Sequence, residues 1–142
     1  MKAGNFVMLR ADSLRLLLPQ QEVGAAEYIE QAPRALPQPG WFEYGSGEGA
    51  RPVIALSGQM TPLVAFPADR FVLTRFSLDG SDLLFAWNEV RVLIEAQLQA
   101  HLLPPSMRTA DGPISGYVER DGEVLLCSTA GQVMAYAAAH GS

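Results

Sequence analysis

The feature that most constrains this chain is an internal repeat. Residues 6–10 (FVMLR) resemble residues 71–75 (FVLTR), and each stretch is followed by a turn and a leucine-rich run. Further landmarks follow in the same order in both halves: Glu22-Val23 and Glu89-Val90, then Ile29-Glu30 and Ile94-Glu95, then Leu36-Pro37 and Leu103-Pro104. An apolar run closes each half, 53–56 (VIAL) and 124–127 (VLLC), before Gly58-Gln59-Met60 and Gly131-Gln132-Val133-Met134. The offset rises only from 65 at Phe6 and Phe71 to 73 at Gly58 and Gly131. Single matches carry little, because strands draw on a small alphabet; preserved order carries more. The expectation is one domain over residues 1–142 with halves near 1–66 and 67–142.

Local patterns point to strands. Residues 6–10 and 14–18 flank the turn signal Ala11-Asp12-Ser13 and read as a hairpin, which Pro19 ends. Residues 51–56, 60–66, 71–76, 83–88 and 90–94 are further β-prone runs, with a turn at Asp79-Gly80. Residues 114–119 and 123–127 form another hairpin about Asp121-Gly122. Residues 20–31 are ambiguous between a helical turn and a strand. The stretches 32–40 and 101–112 are proline-bearing loops. Residues 129–139, rich in alanine behind Ser128 or Thr129, form the best helix candidate. Short strands with turns between them argue for an all-β fold with a minor helical part. The runs LRLLL (14–18) and VLLC (124–127) do not alternate cleanly, so both faces of those strands need cover. Two units of about 65 residues suit two small β-barrels packed together, since closing a sheet removes its exposed edges.

Composition narrows the function classes. The chain has 142 residues, a net charge of −5 and a single lysine, Lys2, which argues against nucleic-acid binding. Charged residues make up only 18%, so the surface is expected either to be covered in part by a partner or to be prone to association. One cysteine, Cys127, fits a reducing compartment. The apolar run at 6–9 is too short for a signal peptide, and no run reaches the ~18 residues of a membrane helix. A soluble, cytoplasmic protein without membrane insertion is the expectation.

Catalytic constellations are weak. His101 and His140 lack ligand spacing, so no metal is expected. Cys127 ends an apolar strand with no base near it in sequence and reads as a buried thiol. The stretch 45–49 (GSGEG) resembles a phosphate loop, but Glu48 would repel an anion and Arg51-Pro52 opens a strand. Glu22, Glu27 and Glu30 read as a solvated face. Trp41, Phe42 and Tyr44 form an aromatic group suited to the core or to an interface.

The ordered landmarks resemble the CheW-like adaptor family of bacterial chemotaxis. The carrying residues are the opening strand pair at 6–18, Leu18-Pro19 followed by Val23, the hairpin at 71–82, Glu89-Val90, Leu103-Pro104-Pro105, and the glycine-led hairpin from Ser115-Gly116 to Cys127. The mid-region keeps Pro52 but has Ala55 where that family usually has Asp and Ser57 where it has Arg; Asn88 stands where Asp is common. The resemblance implies two five-stranded SH3-like barrels with a short C-terminal helix, and no active site or cofactor. It implies a scaffold that couples a chemoreceptor to a CheA-type histidine kinase. Val23, Arg51, Pro52 and Ile54 match the exposed part of the family's first barrel and are the expected partner contacts. An alternative is a small-molecule-binding or enzymatic β-barrel, marked by a deep pocket with convergent polar groups; a self-associating module is a third.

Overall fold

The computed structural model describes residues 2–45, 47–76, 83–103 and 114–140. Hairpins open both halves. In the first half β1 (Lys2–Ala11) turns at Asp12, which adopts φ +56°, into β2 (Leu14–Pro19). There follow a 3-10 turn (Gln20–Glu22), β3 (Glu27–Tyr28), β4 (Arg34–Ala35), β5 (Trp41–Tyr44) and β6 (Arg51–Ile54). The second half runs β7 (Val72–Arg75), β8 (Leu84–Trp87), β9 (Glu89–Leu98), β10 (Ala100–Leu102), β11 (Gly116–Arg120) and β12 (Glu123–Cys127), then helix α1 (Ala130–His140).

Two six-stranded sheets result, in the orders β10-β11-β12-β2-β1-β9 and β4-β5-β6-β8-β7-β3. When each half's strands are counted from its own start, the two orders are the same. Each sheet holds one parallel pair, β12 with β2 and β6 with β8, at equivalent places. The hairpins are exchanged: β1–β2 lies among the strands of the second half, and β7–β8 among those of the first. This corrects the expectation that each half closes its own five-stranded sheet. Among the described residues six strands are present in each, they come from both halves, and the pairing closes neither sheet.

Register also corrects the landmarks. Met8 faces Leu17 and Arg91, while Leu73 faces Ala86 and Glu27. Taking Met8 and Leu73 as equivalent makes Leu17 match Ala86 and Arg91 match Glu27. The parallel pairs then match Leu126 with Ile54, and so Glu123 with Arg51. The Glu-Val and Ile-Glu landmarks slip from this register by one to three positions.

Apolar residues on both faces of the strands build three cores. Along β1, Phe6 and Met8 enter one cluster with Leu17, Leu93, Leu98, Ala100, Val118, Leu125 and Cys127, so all six strands of that sheet contribute. The intervening Val7, Leu9 and Ala11 face a larger cluster with Leu16, Leu18, Ile54, Leu56, Phe85 and Trp87, which joins the two sheets. The third cluster, Phe42, Val53, Ala55, Leu73, Leu84 and Ala86, belongs to the second sheet. The alternation that LRLLL lacked is thus a split: Leu17 fills one core while Leu16 and Leu18 fill another. Helix α1 covers the seam with Ala130, Val133 and Ala137. The Thr129 hydroxyl accepts from the Gln132 N–H at 3.1 Å, and the Glu22 carboxylate accepts from the Ala130 N–H at 2.7 Å.

Several expectations shift. Residues 60–66 are not a strand: Met60 sits at φ +61° within a Ser57–Thr61 turn, and Pro62 forms only an isolated bridge to Leu56. The expected loop at 32–40 contains a short strand, β4, the one at 101–112 begins inside β10, and the aromatic group at 41–44 is β5. The turn at Asp79-Gly80 and the Pro104-Pro105 stretch lie outside the described residues.

Leu16 is fully buried between the sheets, whereas Val124 is 50% exposed. Leu16→Ala is expected to cost about 2–5 kcal/mol in urea unfolding, and Val124→Ala under about 0.5 kcal/mol. Equal losses would contradict the seam core.

Candidate functional site

The four expected contact residues separate on folding. Ile54 is 2% exposed and Val23 is half-buried against the inter-sheet core, where it bridges to Phe76. Ile54 packs into the seam from its strand face, while Val23, after the 3-10 turn, keeps part of its side chain at the surface. Arg51 and Pro52 do reach the surface on β6. Pro52 pairs with Glu43 of β5, and β8 begins to pair only at Val53, so the missing N–H breaks no ladder on that side. The Arg51 guanidinium donates to both oxygens of Glu27 at 2.8 and 3.0 Å and lies 6.0 Å from the Tyr44 ring centre. Arg34 pairs with Glu43 across β4 and β5. Pro52 shares a sheet face with Glu43 and Arg34, whereas Arg51, the preceding residue of β6, lies on the opposite face with Tyr44 and Val53.

A matching charged group sits on the first sheet. Arg10 pairs with Glu89 at 3.1 Å, Arg91 with Glu89 at 3.0 Å, and Arg15 with Glu123 at 3.5 Å. Arg91 also lies 3.7 Å from Glu123. By register, Arg91–Glu123 is the counterpart of Glu27–Arg51 with its charges reversed. The hydrogen bond from Arg91, and secondarily that from Arg10, hold the Glu89 carboxyl below its ordinary value against the opposing effect of burial.

Between the sheets lies a polar knot that sequence reasoning missed. Asp12 donates its backbone N–H to the Asn88 side-chain oxygen and accepts from the Gly58 N–H at 2.9 Å. The Asn88 amide nitrogen donates to the Asp69 carbonyl at 2.9 Å. Asn88 also crosses from the second sheet to the first, donating its backbone N–H to Arg10 at 2.8 Å. An aspartate there could accept from Asp12 but, when ionised, could not donate to Asp69, which accounts physically for the amide. Arg70 is fully buried, donates to the Ala86 carbonyl at 3.2 Å and lies 3.4 Å from the Asp12 carboxylate. Among the described residues its Nε has no hydrogen-bond partner, and its second terminal nitrogen is held only by the ion pair with Asp12. Burial pulls its pKa down, and Asp12 opposes that. No periodicity or motif marks Arg70, because its burial comes from loop 57–70 folding over β8.

The remaining sequence candidates find structural uses. Glu22 caps α1 and Glu27 pairs with Arg51, rather than forming a solvated face. His101 stacks on Tyr117 with ring centres 5.0 Å apart. Cys127 is buried in the first-sheet core. Gly47–Gly49 forms a 3-10 turn. Among the described residues no three His, Cys, Asp or Glu converge as metal ligands. No described helix is long and apolar enough to cross a membrane. A cleft beside β5 is lined by Glu30, Arg34, Glu43 and Tyr44, but Arg34 and Glu43 engage each other there and the Tyr44 hydroxyl accepts from the Glu30 N–H. Comparison with known proteins gave no matching family model and no matching curated relative.

Two outcomes follow from these charges. Asp12→Asn keeps a residue tolerant of positive φ but strips the buried guanidinium of its counter-charge. It is expected to destabilise by about 1–3 kcal/mol, more than Arg70→Met, which removes the buried charge itself. Chemical denaturation of both variants checks the order. A depressed carboxyl binds its proton less readily when folded, so the stabilisation from Glu89 is complete above the ordinary value of 4.5 and fades as pH falls through the folded value. The stability gap between the parent and Glu89→Gln should be widest at neutral pH and shrink on acidification; a gap that grows in acid would be contrary.

Proposed function

We propose that the chain is a non-catalytic, cytoplasmic adaptor of the CheW-like type that couples a chemoreceptor to a CheA-type histidine kinase. The observation that carries this reading is the duplicated six-strand order, with each sheet gathered about its own apolar cluster and both joined through a third. Two SH3-like barrels packed side by side would look like this. Strands β9 and β10 stand at opposite ends of the first sheet yet are separated in sequence only by Gln99, which draws those ends towards each other. The pairs Arg91–Glu123 and Arg51–Glu27 join strands three places apart, roughly 14 Å in a flat sheet, and so favour strong curling.

The mechanism would be geometric. Loops are poor rulers, whereas two sheets sharing a core hold fixed surfaces at a fixed angle. A kinase barrel and a receptor helix gripping separate surfaces would be set in register by that angle. On this reading the face of β4–β6 that carries Arg34, Glu43 and Pro52 is the kinase or receptor contact, while Arg51 on the opposite face braces β3 through Glu27.

Pull-down from native lysate with the full chain should recover a histidine kinase or a chemoreceptor, and Pro52→Arg should reduce that recovery several-fold while the far-ultraviolet spectrum stays unchanged. Recovery of neither protein would count against the adaptor reading.

A further inference from the structure

Duplication creates a choice. Each hairpin has two related places to dock: the four remaining strands of its own half, and those of the other. Both hairpins occupy the opposite half. We infer that this choice is keyed by side-chain size and charge, so that each half recognises the other in preference to itself.

Size is the first part of the key. Hairpin β1–β2 brings Phe6, Met8 and Leu17 to a site lined by Val118, Leu125 and Cys127, with no aromatic on the acceptor strands of that cluster. Hairpin β7–β8 brings Leu73, Leu84 and Ala86 to a site already filled by Phe42, with Phe66 edge-on to it at 5.2 Å. The bulk lies on the hairpin in one sheet and on the acceptor in the other. Leu17 and Ala86 are equivalent by register, so an unexchanged pairing would set leucine against the phenylalanines and alanine against Val118 and Leu125. One core would be overfilled and the other left with a void. The outlying aromatics agree. Phe6 is 7% exposed in its roomy site, while its counterpart Phe71 is 53% exposed.

Charge is the second part. Arg15 lies 3.5 Å from Glu123. In its own half the residue equivalent to Glu123 is Arg51, which would repel it, and the residue equivalent to Glu89 is the uncharged Ala25. The counterpart of Arg15 on the other hairpin is Leu84, so the hairpin that docks beside Arg51 brings no cation at that position.

The single cysteine supplies a reporter. Cys127 stands opposite Leu17 in the parallel β2–β12 register. Neighbouring strands are spaced as a disulfide requires. In the full chain, Leu17→Cys should therefore bond to Cys127 on mild oxidation, whereas Ala86→Cys should not, because its opposite number is Ala55. Adding Ala86→Leu to Leu17→Cys inverts the sizes and should at least halve the disulfide yield at fixed time. Adding Arg15→Glu instead inverts the charge and should lower the yield in the same direction; this variant decides the question if Ala86→Leu fails to fold by circular dichroism. Bonding of Ala86→Cys to Cys127, or an unchanged yield in both inverted backgrounds, would overturn the key.

Discussion

The exchange of hairpins between the two halves is the constraint from which the rest of this structure follows. Neither half contains a complete sheet. Strands β1 and β2 close the gap between β12 and β9, and β7 and β8 do the same between β6 and β3. The first sheet is therefore a long-range object, with partners 83 positions apart at Met8–Arg91 and 110 at Leu16–Leu126, while the second joins Glu27 to Leu73 over 46 and Val53 to Leu84 over 31. That raises the entropic cost of folding, because distant contacts are rewarded only after loop closure. The two sheets also depend on each other through packing. The inter-sheet core creates this dependence, since Leu16 and Leu18 on one hairpin and Phe85 and Trp87 on the other pack in a single cluster.

Much of the fold could be read from the residues, and the failures have physical causes. The hairpins at 6–18 and 114–127, the strands at 51–56, 71–76 and 83–94, and the C-terminal helix were visible because local periodicity and turn chemistry agree with the final state. The order of the repeat was visible too. Its register was not, because Val, Leu and Ile interchange freely on a β face, so neighbouring positions match almost equally well. Strand β3 stayed ambiguous with a helical turn, and β4 and β10 were missed, since two or three residues carry no pattern. The run at 60–66 misled because its apolar residues serve as loop anchors: Met60 plugs the inter-sheet core and Leu63 packs against the second. The exchange itself leaves no local signal at all.

The candidate site was legible only in part. Arg51 and Pro52 lie on the surface, but Ile54 belongs to the packing between sheets and Val23 does so in part, a distinction set by which way each side chain turns. The Asp12–Asn88–Arg70 knot depends on three loops converging and could not be seen from spacing. Its placement gives it a definite task. It ties the tip of one exchanged hairpin to the segment leading into the other, so it fixes the angle between sheets by directional contacts as well as by apolar packing. A protein that works by holding two partners at a set angle would need both kinds of restraint.

The central claim is that each hairpin sits in the sheet of the other half. Nuclear Overhauser contacts between backbone protons of paired strands test it most directly. The account predicts cross-strand contacts from Met8 to Arg91 and from Leu73 to Glu27. Contacts from Met8 to Glu27 and from Leu73 to Arg91 would show each half folded on itself and would contradict it.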